Sequence, residues 1–222
     1  MSSADLQAEL RITEIYASVQ GESTWAGLPC VFIRLAKCNL RCVWCDTAYA
    51  FGGGESMSVA DVLAQVKETG VPLVEITGGE PLVQPECIDL AQALVDVGYE
   101  VLIETSGSLP IDTLPPEVHR IMDLKCPDSE MCDRNLMENI DYLVADRDEV
   151  KFVLASRRDY EWCREVIGSY NLGERCKSIL LSPVFGQVDP KDIVAWMLED
   201  DLPARFQLQM HKFIWPPDQQ GV

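Results

Sequence analysis

The amino-acid sequence predicts an α/β fold, a partial (incomplete) β/α barrel of about six βα units built on a parallel sheet. Short apolar runs alternate with helical patterns along the chain, which is typical of a parallel sheet covered by helices. Glycine, cysteine and polar residues gather where the apolar runs end, and in parallel α/β folds the ligand site lies at that edge. About six units are too few for a complete eight-stranded barrel. A flat, doubly wound sheet is the alternative.

The first units are predicted over residues 30–104. The β-branched run Cys30–Leu35 indicates a strand. Ser58 is predicted to cap a helix, because Asp61 follows it and apolar residues then recur at helical spacing as far as Gly70. The same kinds of signal predict a strand over Leu73–Thr77, a helix over Glu86–Val97 and a strand over Tyr99–Glu104.

The remaining units are predicted over residues 120–210. Apolar runs indicate strands at Arg120–Leu124, Val150–Ala155, Ser178–Leu181 and Phe206–Met210. Helical spacing between them indicates helices at Leu136–Leu143, Arg158–Tyr170 and Pro190–Leu198. No low-complexity linker or shift in composition interrupts the sequence, so residues 1–222 are expected to form one domain.

The charge balance argues against polyanionic partners. The chain carries 18 basic and 36 acidic side chains and a formal net charge of -18. Nucleic acids and anionic membrane surfaces carry charge of the same sign, so neither is expected as a partner. No apolar run reaches the ~20 residues that a membrane span requires. The polar, acidic N-terminal segment fits neither a signal nor a transit peptide, so a cytoplasmic protein is expected.

Three of the nine cysteines form the most informative motif of the sequence. Cys38, Cys42 and Cys45 have the spacing C-x3-C-x2-C, and three thiolates on a short loop can hold three corners of a tetrahedral metal site or of a cubane iron–sulfur cluster. No further cysteine or histidine follows within thirty residues of the motif, which leaves one position open for a ligand that arrives with substrate or cofactor. A zinc site completed by Cys30 or Cys126 is the alternative. The other cysteines are expected to pack in the core or to have no role in the site.

The cysteine motif, together with the stretch Gly78-Gly79-Glu80-Pro81 after the next strand, resembles the radical S-adenosylmethionine (SAM) superfamily. The resemblance implies that Cys38, Cys42 and Cys45 hold a catalytic [4Fe–4S] cluster and that SAM binds its fourth iron. It also implies that the Gly-Gly-Glu stretch contacts the SAM amino group, which suits a backbone without side chains and a carboxylate facing an ammonium. Without the cysteines, the same stretch is typical of an ordinary strand-to-helix turn.

Further motifs resemble one family, the 7-carboxy-7-deazaguanine synthases of queuosine and deazapurine biosynthesis. They are Ser18–Ser23, Phe32–Leu35, Cys45–Thr47, Ile76–Pro81, Glu104–Gly107 and Gln209–Lys212. These motifs span nearly the whole chain in the family's order. The resemblance implies conversion of 6-carboxy-5,6,7,8-tetrahydropterin to 7-carboxy-7-deazaguanine with loss of ammonia. A 5′-deoxyadenosyl radical derived from SAM would remove hydrogen from C6, the ring would contract, and SAM would be regenerated.

The resemblance also implies a role for individual residues. The implied SAM contacts are Trp44, Cys45, Asp46, Gly78, Gly79, Glu80, Ser106, Lys125, Ser182 and Pro183. The implied substrate contacts are Val19, Gln20, Gly21, Arg34, Thr77 and His211, and the hydroxyl of Thr47 is implied as a ligand of Mg²⁺. Plainer alternatives are a structural ion pair for Arg34, a turn cap for Thr47 and a structural role for His211.

Two other functions remain open at the level of sequence. Asp123-Leu124-Lys125 stands where some family members have Ser-Pro-Lys, and it resembles the activases of glycyl-radical enzymes. A non-catalytic scaffold that binds zinc or an iron–sulfur cluster is the third possibility. The leading resemblance implies a pterin as the small-molecule substrate, an electron donor such as a flavodoxin or ferredoxin, and a homodimer. It assigns no contact to a residue of the tail beyond Lys212.

Overall fold

A nine-stranded sheet forms the centre of the computed structural model, which describes residues 4–222. The strands are β1 (Glu9–Val19), β2 (Pro29–Leu35), β3 (Glu55–Ser58), β4 (Leu73–Gly78), β5 (Glu100–Thr105), β6 (His119–Asp123), β7 (Glu149–Leu154), β8 (Ser178–Pro183) and β9 (Arg205–Phe206). Their order across the sheet is β3-β1-β2-β4-β5-β6-β7-β8-β9. From β2 onward every neighbouring pair in this order is parallel, whereas β1 runs antiparallel to both β2 and β3. The predicted α/β fold, an incomplete barrel on a parallel sheet, is confirmed, and the sheet is open.

Six helices connect or follow these strands in the described part of the chain. They are α1 (Val59–Thr69), α2 (Cys87–Asp96), α3 (Arg157–Ser169), α4 (Leu172–Arg175), α5 (Pro190–Glu199) and α6 (His211–Ile214). The predicted cap of α1 is present, because the Ser58 hydroxyl accepts a hydrogen bond from the backbone N–H of Asp61. Gly70 ends the helix with a left-handed φ of 69°. Over residues 4–222, no helix is both long and apolar enough to cross a membrane.

The strands are buried on both faces, and the two faces differ in character. On the helix-covered face the large core includes Val31, Ile33 and Leu35 from β2. On the opposite face, which we call the inner face, a second, smaller cluster (the inner cluster) is formed by Cys30, Phe32, Leu73, Leu102 and Ile121, with Tyr16 and Trp25 packed against it. Because side chains alternate between faces, residues two places apart on a strand point to the same face. The last apolar residue of this cluster on each strand is followed two places later by a charged one, namely Arg34, Glu75, Glu104 or Asp123.

Several elements differ from the predictions. β1 and β3 were not predicted; both are antiparallel additions at one edge of the sheet, outside the βα repeat on which the prediction rested. Residues 137–142 form a 3₁₀ segment instead of an α-helix. Contacts with the loop after β5 hold this segment in place, since the Asn139 amide donates hydrogen bonds to the carbonyls of Gly107 and Leu109. The last predicted strand is reduced to β9, because the N–H of Met210 turns away to the carbonyl of Gly21.

A buried ion pair fixes the loop that leads into β7. Arg120 Nη1 lies 3.0 Å from Asp148 Oδ2, and the Asp148 side chain is fully buried. Asp148 also accepts hydrogen bonds from the side chain of Arg147 and from the backbone N–H of Val144. Burial by itself raises the pKa of Asp148, but these hydrogen bonds and the Arg120 guanidinium bring it below its ordinary value.

We predict that Asp148→Ala lowers the free energy of unfolding by about 3–5 kcal/mol, because it leaves the buried Arg120 guanidinium without its carboxylate. The exposed pair of Arg175 and Asp141 provides the control, and Asp141→Ala should cost less than about 1 kcal/mol. Urea unfolding followed by circular dichroism measures both values. Since the folded-state pKa of Asp148 is depressed, its contribution is fully present above pH ~4 and is lost as the pH falls towards that lower pKa. Equal losses in the two variants would contradict the prediction.

Candidate active site

The polar ends of the parallel strands open into a cavity of about 590 Å³. This volume lies in the range of ~300–1,000 Å³ that is common for small-molecule sites. The three clustered cysteines, Thr47 and all the predicted substrate contacts line it. Of the predicted SAM contacts, the cavity is lined by Trp44, Cys45, Asp46, Gly78, Gly79, Ser106 and Lys125, whereas Glu80, Ser182 and Pro183 lie outside its lining.

The cysteine loop follows β2 directly and is held by hydrogen bonds within the loop and to the backbone of Ser129. The N–H of Cys45 donates to the carbonyl of Cys42 at 3.2 Å, and the N–H of Val43 donates to Ser129 at 3.3 Å. Arg41 folds back on the loop, and its Nη1 donates to the carbonyl of Cys38 at 2.9 Å. All three cysteines of the loop line the cavity.

The donor set and the surrounding space fit a cubane cluster. Among residues 4–222 no three His, Cys, Asp or Glu side chains lie close enough together to hold a single metal ion. A cubane does not need such closeness, since each thiolate binds a different iron. Burial raises the pKa of the Cys42 thiol, while the ammonium of Lys125 acts in the opposite direction. Cys30 and Cys126, which would complete the alternative zinc site, are buried and lie outside the cavity lining.

The Gly-Gly turn after β4 passes very close to the cysteine loop. A Cβ on Gly79 would lie 2.3 Å from the Lys37 carbonyl oxygen and 2.7 Å from the Cys38 Cβ. Gly78 has φ 157°, and a Cβ there would lie 2.4 Å from the Leu35 carbonyl oxygen. Only glycine fits at these two positions, which brings the backbone itself to the wall of the cavity.

Glu80 is fully buried beneath this wall. Its carboxylate accepts hydrogen bonds from the N–H and the hydroxyl of Ser106, at 2.7 and 2.6 Å, and from the hydroxyl of Thr105 at 2.9 Å. The side chain therefore ties the turn after β4 to the turn after β5 and holds Ser106 at the cavity. Ser182 is also fully buried, with a hydroxyl that has no hydrogen-bond partner. Pro183 lines a separate cavity of about 370 Å³.

The loop between β1 and β2 enters the cavity and meets the C-terminal segment there. The carbonyl of Gly21 accepts the N–H of Met210 at 2.9 Å, and a Cβ on Gly21 would lie 2.7 Å from His211 Nδ1. Gln209 Nε2 donates to Glu22 at 3.0 Å. Burial lowers the pKa of His211 below its ordinary value, so its imidazole favours the neutral form. The loop and the histidine are thus packed as one wall.

Five charged residues meet on the inner face of the sheet, and we call them the interior charge cluster: Glu22, Glu75, Glu104, Asp123 and Lys151. The Lys151 side chain is 4% exposed, and its Nζ lies 2.8 Å from Glu22, in direct contact with Glu104 and 3.8 Å from Asp123. Burial opposes the charge of Lys151, but the three carboxylates raise its pKa well above the ordinary value.

The carboxylates of the interior charge cluster differ in protonation. Burial disfavours ionisation of Glu22, yet Lys151 and Gln209 bring its pKa down to about 2. Burial and the charge of Glu104 raise the pKa of Glu75 well above its usual range. Glu75 also receives a hydrogen bond from the Gln20 amide. The cavity therefore contains both an ionised carboxylate and a carboxyl group that favours its neutral form.

Arg34 lines the cavity and is also engaged in an ion pair. Its Nε lies 2.7 Å from Glu14 Oε1, and its Nη2 donates to the Tyr16 hydroxyl at 3.1 Å. The Tyr49 hydroxyl donates to the same Glu14 oxygen at 2.8 Å. The structural ion pair that was the alternative role for Arg34 is thus present, and it fixes the guanidinium at the wall of the cavity.

The residues after Cys45 join the cysteine loop to α6. Lys212 Nζ lies 2.7 Å from Asp46 Oδ2. Burial alone would raise the pKa of Asp46, but the Lys212 ammonium lowers it below the ordinary value. Thr47 precedes a 3₁₀ turn without capping it through its side chain, and its hydroxyl lies 3.7 Å from Cys45 Sγ.

Sequence reasoning missed part of the lining. The tail residues Pro217–Val222 border the cavity, as do Glu75, Lys151 and Tyr49. A signal for two of them was present: Glu75 follows Leu73 by two residues and Lys151 follows Glu149 by two, so alternation along β4 and β7 places them on the inner face. The tail carries no periodic pattern that would have located it.

Comparisons with known proteins agree with this architecture. Residues 32–128 match the sequence model of the Radical SAM superfamily. A 7-carboxy-7-deazaguanine synthase of Koribacter versatilis is 46% identical over 96% of this chain and 100% of its own length. One from Chlorobaculum tepidum is 44% identical, with 97% and 99% covered. The solved structure of QueE from Escherichia coli has a TM-score of 0.76 at 24% identity and covers 91% of this chain and 95% of that one, which is a likeness of fold.

The parallel sheet, the three-cysteine loop at its carboxyl edge and the superfamily match define a radical SAM enzyme. The relatives that match nearly end to end narrow this class. The chain belongs to the family of 7-carboxy-7-deazaguanine synthases.

We predict that Gly21→Ala displaces the His211 imidazole, because the new Cβ would lie 2.7 Å from Nδ1 and must reach a contact of about 3.5 Å or more. The control is Gly168→Ala in α3, where a Cβ would meet nothing within 4 Å and helix propensity favours alanine. Crystal structures of both variants test this. An unmoved imidazole in Gly21→Ala would show that the loop and the histidine are not packed as one wall.

Proposed function

We propose that this chain converts 6-carboxy-5,6,7,8-tetrahydropterin to 7-carboxy-7-deazaguanine with loss of ammonia, a step of queuosine biosynthesis. The observation that carries the proposal is the end-to-end similarity, at 46% identity, to a relative with that name. The cavity supports it independently, because every residue that the family resemblance assigned to the substrate lines one space together with the three cysteines.

Cys38, Cys42 and Cys45 would hold the [4Fe–4S] cluster, and SAM bound there supplies the 5′-deoxyadenosyl radical. The chain's own residues supply binding, orientation and exclusion of water. Gly79 offers backbone at the cavity wall, with Ser106 held beside it by Glu80. Lys125, paired with Asp123 at 2.9 Å, offers a cation to the carboxylate of SAM.

The polar lining suits a pterin. A pterin presents amide and amino N–H donors along one edge, and carboxylates are acceptors for such donors. Glu22 and Glu104 provide carboxylates at the cavity, and the Gln20 amide, which donates to Glu75, lines the same space. The tail Pro217–Val222 borders the same space and would limit the access of water to a reactive intermediate. These features favour a small molecule over the protein glycine that an activase would require.

Mg²⁺ is proposed as a second cofactor at Thr47. The Thr47 hydroxyl makes no capping hydrogen bond, so it is available as a hard oxygen ligand. The substrate carboxylate and water would complete an oxygen-only ligand set, which Mg²⁺ prefers. The ion would then hold the substrate in a fixed pose for removal of hydrogen from C6.

The reaction also implies partners and a location. An electron donor such as a flavodoxin or ferredoxin would supply the single electron, and the family resemblance implies a homodimer. A cluster held by thiolates suits the reducing environment of the cytoplasm.

We expect Cys38→Ala, Cys42→Ala and Cys45→Ala each to abolish SAM cleavage, because the cubane needs all three thiolates. Cys87→Ala is the control, since Cys87 is a buried core residue at the start of α2 and its loss should leave cleavage intact. The wild type, reconstituted anaerobically, should contain about four iron and four sulfide per chain. It should form 7-carboxy-7-deazaguanine from the tetrahydropterin, SAM and a reductant. Stoichiometric zinc without iron, or no product from a fully loaded enzyme, would refute the proposal.

We expect turnover to depend on Mg²⁺ and to fall sharply after chelation, while the cluster and SAM binding survive. Thr47→Ala should reproduce the chelated state, and Thr47→Ser should retain part of the activity because it keeps the hydroxyl. Product formation across a Mg²⁺ titration measures this for the wild type and both variants. Full activity of Thr47→Ala without Mg²⁺ would remove the ion from the proposal.

A further inference from the structure

The proposed reaction assigns no role to Lys151. Its side chain is 4% exposed, although lysine is rarely buried without partners. It lies on β7, on the inner face of the sheet, and its ammonium is the cation at the centre of the interior charge cluster. A single ammonium therefore serves three carboxylates that come from three separate segments of the chain.

Two of these carboxylates belong to the half of the cavity assigned to the substrate. Glu22, 2.8 Å from Lys151, sits on the loop that also carries Gln20 and Gly21. Glu104 contacts the same ammonium from the end of β5. Glu22 in turn receives a hydrogen bond from Gln209, next to His211. Lys151 thus holds two acceptor groups in place where a pterin edge would bind.

The third carboxylate belongs to the half assigned to SAM. Asp123 lies 3.8 Å from Lys151 but only 2.9 Å from Lys125. Lys125 is the proposed SAM contact, and its charge acts on the Cys42 thiol. Asp123 is therefore shared unequally by two lysines, one facing each ligand.

Because Asp123 is shared unequally, substrate binding would change how Asp123 pairs with the two lysines. N–H donors of the substrate would compete with Lys151 for Glu22 and Glu104. A buried ammonium cannot stay without a carboxylate at low cost, so it would move closer to Asp123. Asp123 would then hold Lys125 less tightly, which frees the Lys125 ammonium for the carboxylate of SAM.

We propose that Lys151 is a positioning residue that couples the two halves of the cavity, so that bound substrate increases the affinity for SAM and bound SAM increases the affinity for substrate. The inference rests on the proposed function. Reciprocity follows from linkage, because both ligands act on one equilibrium.

The test is the dissociation constant of SAM for the cluster-loaded enzyme, measured anaerobically with and without 6-carboxytetrahydropterin. Omitting the reductant prevents turnover, so that binding alone is measured. In the wild type, the substrate should tighten SAM binding at least about fivefold. In Lys151→Met, which has a similar length without the charge, the ratio should fall to about one. Lys151→Arg should retain part of the coupling, because it keeps a cation.

Two further variants keep the test decisive. Lys177→Met is the matched control, since Lys177 is exposed beside Trp25 and outside the cavity lining; it should keep the wild-type ratio. Asp123→Asn removes the carboxylate shared by Lys151 and Lys125, so it should also bring the ratio of SAM dissociation constants to about one. This variant provides the test if Lys151→Met fails to fold or to load iron. A wild-type ratio of one, or unchanged coupling in Lys151→Met or in Asp123→Asn, would overturn the inference. Product formation by the wild type in the same preparation separates that outcome from failure of the proposed function.

Discussion

Parallel pairing is the constraint on which the rest of this structure depends. It brings the carboxyl ends of β2 and β4 to β8 to one edge, so residues far apart in sequence share a single cavity. Both faces of such a sheet are buried. The inner face packs against apolar residues at one end of the strands and lines the cavity at the other, so its side chains change from apolar to charged within one strand. Leu102 packs in the inner cluster, and Glu104, two residues later, lines the cavity. The same step separates Ile121 from Asp123 on β6.

Charges placed on a buried face need partners, and that need explains the position of the loop between β1 and β2. Its start brings Glu22 to Lys151, while further along Thr24 donates to the buried Glu149 at 3.1 Å. Next to it, Trp25 packs edge-on against His119 with ring centroids 5.0 Å apart. The loop is thus held on the inner face by β6 and β7, and these contacts fix the segment that lines the cavity.

The βα repeat and the cysteine motif could be predicted from sequence because each has a local signature: short apolar runs for the strands, the Ser58 cap with its Gly70 end, and three spaced thiols. The antiparallel β1 and β3 and the shortened β9 could not, because pairing at the edges of the sheet decides them. For Glu80, sequence showed a carboxylate beside the glycines but not that Thr105 and Ser106 would enclose it. Lys151 needed the fold, since its partners come from three distant segments.

We propose that SAM-derived radical chemistry and pterin binding take place in the same cavity. The most direct measurement uses the substrate labelled with deuterium at C6, incubated anaerobically with the cluster-loaded enzyme, unlabelled SAM and a reductant. Mass spectrometry then follows the label in the recovered SAM. Hydrogen removal from C6 and its return predict deuterium in SAM, together with labelled or unlabelled 7-carboxy-7-deazaguanine as product. Product formation with no deuterium in SAM or in 5′-deoxyadenosine would contradict the account.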